Sequence, residues 1–279
     1  MLYSGIEGVR LYDPDGWKEI RTFGEDAKVI ISAEFHPDGK TLATGNSFNR
    51  VHLWDVATGK SVAMWEAPPK NTPGTAVRTL NYSPDGKTLV VNGNSVCEPD
   101  TGKVIRTLSV GGAFVLPRYS PDGKYLAGVA SGTLAEVWDM ETGKSVGRVH
   151  HDRSSKLQGL AFSPDGKTLA TGGADLAVRL WDFPGLKPVG ALEPIGLRTG
   201  IVKGAGPLAF SLDGKTLAVG DGEGFIHLWD VAAKKEVGVW RAYNLSVRAL
   251  VWSPNGTTLV TSAGGSVKVW ELAKLKKPQ

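Results

Sequence analysis

The sequence predicts an all-β protein in which one short antiparallel sheet recurs seven times. Three observations predict it. A tight turn, Ser163-Pro164-Asp165-Gly166-Lys167, recurs at His36-Pro37-Asp38-Gly39, Ser83-Pro84-Asp85-Gly86, Ser120-Pro121-Asp122-Gly123, Ser211-Leu212-Asp213-Gly214 and Ser253-Pro254-Asn255-Gly256. An apolar-Trp-acid triplet recurs at residues 53–55, 137–139, 180–182, 228–230 and 269–271, with degenerate copies Leu11-Tyr12-Asp13 and Val96-Cys97-Glu98. The steps from acid to acid are 42, 43, 41, 43, 48 and 41 residues. A period of roughly 40–45 residues with four strands and a Trp-Asp pair marks a β-propeller blade.

Each element has a local reason. Leu160 and Phe162 alternate with small residues, which suits a half-buried strand. In the turn, Ser caps position i, Pro presets φ, and Gly166 takes the left-handed conformation. Residues 168–171 return as a second strand, and Val178 to Trp181 form a third, apolar at alternate positions. A lysine follows each acid by five residues, from Lys18 and Lys60 to Lys235 and Lys276, at the corner into a fourth, outer strand. In the innermost strands the apolar positions fall three and then two apart, as at 30, 33 and 35 or 157, 160 and 162. Pure alternation would give two and two, so a β-bulge is expected at the start of each inner strand. It turns Ile31, Arg78, Val115, Gln158, Gly206 and Arg248 toward the mouth of a central channel.

Five copies are complete, at about 27–67, 75–110, 112–150, 156–194 and 204–242. Residues 1–24 lack an innermost strand, and 245–279 stop short of a full outer one. The expectation is a single domain, 1–279, folded as a seven-bladed propeller of four-stranded antiparallel blades with first and last blades incomplete. Six blades plus an N-terminal extension is the alternative.

The repeats resemble the WD40-repeat family over essentially the whole chain, in a form resembling bacterial-type WD40 domains. The resemblance implies a non-enzymatic scaffold for protein–protein interaction, with a partner on the top face of the ring. It also implies a structural hydrogen-bond chain, which one copy matches at His151, Thr171, Asp175 and Trp181. Elsewhere the pattern fails, with Phe48 and Gly264 at the Asp position and Glu223 a near-substitute.

Composition narrows the function. The 279 residues carry a net charge of +4, a mild excess spread over corner lysines, which argues against a nucleic-acid surface. No apolar run reaches membrane-spanning length, and Met1 to Gly5 begin no signal peptide. Cys97 is the only cysteine, so no intrachain disulfide forms, and a cytoplasmic monomer is expected. Gly59-Lys60-Ser61 lacks the earlier glycine and following helix of a phosphate loop. His150 and His151, adjacent on an extended segment, point apart and make a poor chelate. No cofactor and no metal is expected, and no catalytic set can be argued.

A propeller enzyme of the lactone hydrolase or dehydrogenase type needs inward carboxylates or imidazoles, and the six channel-entry residues supply neither. The sensor portion of a longer signalling protein is a further alternative. For a scaffold, the expected contacts are Arg78, Gln158 and Arg248 at the mouth. His151, Asp152, Arg153, Arg198, Arg241 and Tyr243 would surround them on the loops. Two arginines and no acid among the entry residues imply an acidic peptide as partner.

Overall fold

A computed structural model of the chain describes residues 2–5, 8–13, 18–24, 29–69, 76–109, 115–151, 156–175, 177–193 and 204–274. Twenty-six strands are found among them, in seven antiparallel sheets. The first sheet holds β1 (Leu2–Gly5), β2 (Gly8–Tyr12) and β3 (Glu19–Phe23). Next come β4 (Ile30–Phe35), β5 (Thr41–Asn46), β6 (Arg50–Asp55) and β7 (Ser61–Glu66). The third sheet is β8 (Leu80–Tyr82), β9 (Leu89–Val91), β10 (Ser95–Cys97) and β11 (Val104–Thr107). The fourth is β12 (Val115–Tyr119), β13 (Tyr125–Ser131), β14 (Leu134–Asp139) and β15 (Ser145–His150). The fifth is β16 (Leu157–Phe162), β17 (Thr168–Gly173), β18 (Val178–Asp182) and β19 (Pro188–Leu192). The sixth is β20 (Ala205–Phe210), β21 (Thr216–Asp221), β22 (Phe225–Asp230) and β23 (Lys235–Arg241). The last is β24 (Ala249–Trp252), β25 (Thr258–Ala263) and β26 (Ser266–Glu271).

The fold is an all-β propeller of four-stranded antiparallel blades. The blade count corrects the expectation of seven. Among the described residues, the sheet β1–β3 holds three strands and carries no innermost one. Counting sheets that carry the inner strand gives six blades among the described residues, with β1–β3 as the N-terminal extension. The chain divides into two compact units, residues 1–119 with 123–126 and 138–145, and residues 120–122 with 127–137 and 146–279.

Within the first unit, the core lies between sheet faces. Ala43, Val51, Leu53 and Trp65 of one blade pack on Leu80, Tyr82, Leu89, Val91 and Cys97 of the next. Val9, Leu11 and Phe23 of the extension pack on Ile30 and Leu42. In the second unit, Ala170, Val178, Leu180 and Leu192 meet Leu208, Phe210, Leu217 and Trp229 in the same way. A three- or four-stranded sheet is too thin to bury its own apolar faces, so each blade depends on a neighbour.

The recurrent turn is a closed hydrogen-bond unit. Ser163 Oγ donates to Asp165 Oδ1 at 2.6 Å and accepts from Thr168 N at 2.9 Å. Asp165 Oδ1 also accepts from Lys167 N at 3.0 Å. The Ser163 hydroxyl and then the Lys167 amide hold the Asp165 carboxyl below its usual range. Gly166 sits at φ +68°, and the turn glycines 39, 86, 123, 214 and 256 lie between +70° and +74°. A side chain is strained in that region.

Among the described strand pairings, the inner-strand bulge appears in three blades. Pairing with the second strand slips between Ile30 and Ser32, between Leu157 and Gly159, and between Ala205 and Leu208. Arg248 differs, because β24 begins after it and its amide donates to Ser262 O at 2.8 Å.

Replacing Gly166 with Val forces a β-branched residue to positive φ and is expected to cost about 1–2 kcal/mol. Chemical denaturation measures it. An unchanged midpoint would show that the turn relaxes to another conformation.

Candidate functional site

The four residues of the expected hydrogen-bond chain do meet, with one addition. His151 follows β15, Thr171 lies on β17, and Asp175 stands in the turn before β18, which carries Trp181. Thr171 is fully buried, and His151 nearly so at 3% exposure. Trp181 Nε1 donates to Thr171 Oγ1 at 2.9 Å, and His151 Nε2 lies 2.7 Å from the same oxygen. Asp175 Oδ1 is 4.0 Å from His151 Nδ1, too far for a hydrogen bond. Arg179, on β18, bridges the gap. Its Nη1 donates to His151 Nδ1 at 2.8 Å and to Asp175 Oδ2 at 2.9 Å. Arginine can only donate, so Nδ1 accepts and the ring proton sits on Nε2, facing Thr171. Arg179 is the member that sequence reasoning missed, because its alternation on the third strand marked it as surface.

His151 is therefore a structural residue and leaves the proposed contact surface, its ring being buried and committed to Thr171 and Arg179. Asp152, Arg153 and Arg198 lie outside the described residues. Arg78, Gln158 and Arg248 are all exposed. Arg78 N donates to Asn92 Oδ1 at 2.8 Å. The Gln158 side chain lies over Gly204, where a Cβ would meet its Oε1.

Arg241 and Tyr243 come together in the second unit at a cavity of about 410 Å³. Its wall is formed by the chain leaving β23, by the β25–β26 turn, and by Ser266 and Lys268 of β26. Tyr243 is 8% exposed and anchored, its hydroxyl donating to Thr261 O at 2.7 Å. Lys268 Nζ donates to Ala242 O at 2.6 Å and lies 4.9 Å from the Tyr243 ring centroid, a cation–π distance. Arg241 Nε donates to Tyr243 O at 3.2 Å, and its guanidinium carbon lies 5.7 Å from the Phe225 ring. Leu245 is 60% exposed beside them. Two cations and no carboxylate line this cavity. Lys268 was not among the expected contacts, since its strand position matched that of other charged surface residues.

His227 is held between two acids. Its Nδ1 lies 2.6 Å from Glu236 Oε1 and its Nε2 3.4 Å from Asp221 Oδ2. The carboxylate facing it is Asp221, where the sequence pattern pointed to Glu223. Asp221 Oδ1 also accepts from Glu223 N and Phe225 N, which fixes the turn. Burial alone would lower the His227 pKa, but the bonds to Asp221 and Glu236 override it and raise it to about 9. Burial pushes the Cys97 thiol up to about 11, which leaves it unreactive at neutral pH. Among the described residues, no group of three or more His, Cys, Asp or Glu is placed to hold a metal, and no helix is long and apolar enough to cross a membrane.

The repeated four-stranded unit, with an indole-to-hydroxyl bond inside it, defines a propeller with Trp-Asp blades. A family model described as WD domain, G-beta repeat matches residues 17–55, 143–182 and 234–271, and supports the WD40-repeat family for this chain. Each match runs from the outer strand of one sheet to the third strand of the next. The chain is similar to eukaryotic translation initiation factor 3 subunit I of Phaeosphaeria nodorum, 23% identical over 53% of this chain and 48% of that protein. The same subunit of Aspergillus terreus is 34% identical over 26% of this chain and 20% of its own length. WD repeat-containing protein VIP3 of Arabidopsis thaliana is 29% identical over 50% of this chain and 47% of that protein. The match thus spans half or less of these relatives. They are eukaryotic, and the bacterial-type resemblance finds no support in them.

Thr171→Val removes the acceptor of two buried donors and is expected to cost about 2–4 kcal/mol, while Thr171→Ser retains most of the stability. Thermal or urea unfolding of both variants checks this. His227 stabilises the fold through a raised pKa, so its contribution is complete below pH 6.5 and is lost as pH rises through about 9. The melting-temperature gap between wild type and His227→Gln should narrow across that window. A gap that widens toward high pH would contradict the assignment.

Proposed function

We propose that this chain is a non-enzymatic scaffold, residues 1–279 acting as one cytoplasmic, monomeric domain, that binds an acidic segment of a protein partner. The observation that carries the reading is the cavity beside Tyr243, where Arg241 and Lys268 converge with no carboxylate in the wall. A carboxylate entering there meets two donors that neutralise it, and exposed Leu245 offers contact to an adjoining apolar side chain. Arg78, Gln158 and Arg248 complete the proposed contact set. Membership of a multiprotein assembly accords with the similarity to a translation initiation factor subunit. The partner is a protein, and neither nucleic acid nor membrane enters the reading.

The test uses a fluorescent peptide alternating Glu and Leu, titrated with the chain, against a Lys and Leu peptide of equal length. Arg241→Gln with Lys268→Gln should weaken binding of the acidic peptide by about tenfold or more, with folding of the variant confirmed by a cooperative melt. Wild-type binding should fall steeply with salt. Equal binding by wild type and the double variant would overturn the site.

A further inference from the structure

The last sheet leaves one of its faces open. Its register sets Val251 of β24, Val260 of β25 and Val269 of β26 in one row across the three strands. Val251 is 56% exposed, and Val260 and Val269 are half-buried. Val267, two residues before Val269 and also half-buried, extends the row on the same side of β26. Lys268 and Trp270 project from the other side, where Trp270 meets Trp240.

Earlier blades close the same row. In the fifth sheet it is Ala161, Ala170 and Leu180, all buried. These share one core cluster with Leu208 and Phe210 of β20, the inner strand of the next sheet. Ala43 and Leu53 are likewise buried with Leu80 and Tyr82 of β8, and Ala218 with Leu250 of β24, where Trp252 packs alongside. At all three junctions the covering strand is the inner one of the following sheet, and it brings a leucine and, two residues on, an aromatic. Among the described residues Val251 lacks such a cover, as its exposure shows. An antiparallel sheet face left to water carries polar residues, yet this one carries four valines, two of them where the buried row of the fifth sheet has alanine. A contiguous apolar surface of this kind marks an interaction site.

We propose that the row Val251, Val260 and Val269 is a docking surface for an extended segment of a partner protein, patterned like an inner strand, with a leucine two residues before an aromatic. The surface continues an interface that the chain builds three times, so those copies define what fits it. A leucine and an aromatic two residues apart project from the same side of an extended chain and reach the row together. The residues between and beside them face water and are free in identity. A charged side chain turned toward the valines would be desolvated without a partner, which excludes it from the contacting positions. The surface is independent of the cavity at Arg241 and Lys268, since Lys268 projects from the opposite side of β26.

The experiment follows the valine methyl groups of the full chain by NMR during titration with an acetylated, amidated peptide that copies residues 205–211, Ala-Gly-Pro-Leu-Ala-Phe-Ser. Wild type should show saturable shifts at Val251 and Val260. A control peptide of the same composition, Ala-Gly-Pro-Ala-Leu-Phe-Ser, turns its two large residues to opposite sides and should bind at least about tenfold more weakly. Val251→Lys should weaken binding of the first peptide by about tenfold or more and should melt close to wild type, because the residue is exposed in the free chain. Equal binding of the two peptides, no saturable shift, or unaltered binding by Val251→Lys would each overturn the proposal. So would a melting temperature lowered by about 5 °C or more in Val251→Lys, which would mean that another part of the chain already covers the row. A wild-type dimer that Val251→Lys converts to a monomer would overturn it too, by assigning the row to a second copy.

Discussion

A third-strand tryptophan that donates its indole hydrogen to a second-strand threonine ties the middle of a blade to its inner half. The bond is 2.9 Å in three blades, Trp54 to Thr44, Trp181 to Thr171, and Trp270 to Thr261. It does two things at once. It gives a bulky ring one orientation, and it satisfies a donor that burial would otherwise orphan. The ring then serves as a fixed wall for the neighbouring sheet, as Trp240 against Trp270 illustrates at 5.5 Å. Where the indole is absent the hydroxyl is absent too. Cys97 replaces the tryptophan in the blade whose threonine position is Val91, and both are buried apolar packing. The acid that follows caps the corner: Asp55 Oδ1 accepts from Thr58 N at 2.7 Å and from Thr58 Oγ1 at 2.6 Å.

Blades are joined by long side chains reaching across to backbone carbonyls. Arg21 of β3 donates to Thr58 O and Ala57 O, both at 2.8 Å, and so seats the N-terminal extension on the corner of the first full blade. Trp65 of β7 donates to Pro99 O at 2.8 Å in the following corner. In the second unit Lys234 Nζ donates to Val189 O at 2.7 Å. Such contacts complement the apolar interfaces, which supply area but little direction. They also explain the close approach of glycine corners, since a Cβ on Gly59 would strike the Arg21 side chain.

Much of the blade was legible in the sequence, because period, turn and alternation are local signals. The Ser-Pro-Asp-Gly turn and the bulges at Ile31 and Gln158 follow from spacing, and the meeting of His151 with Thr171 follows from the family resemblance. The count was less legible. The corner lysines recur seven times, yet a corner marks an outer strand and says nothing about whether an inner strand precedes it. The sites were least legible. Arg179 and Lys268 share a third-strand position that reads as surface, and only three-dimensional placement turns one inward to His151 and the other over Tyr243.

The most direct measurement of the central claim is hydrogen exchange at the indole nitrogens, resolved by NMR of the full chain. If the tryptophan–threonine bond holds these three blades together, the Nε1 protons of Trp54, Trp181 and Trp270 should exchange as slowly as the backbone amides of β6, β18 and β26 that surround them. Indole protons that exchange at the rate of free tryptophan, while those amides stay protected, would contradict it.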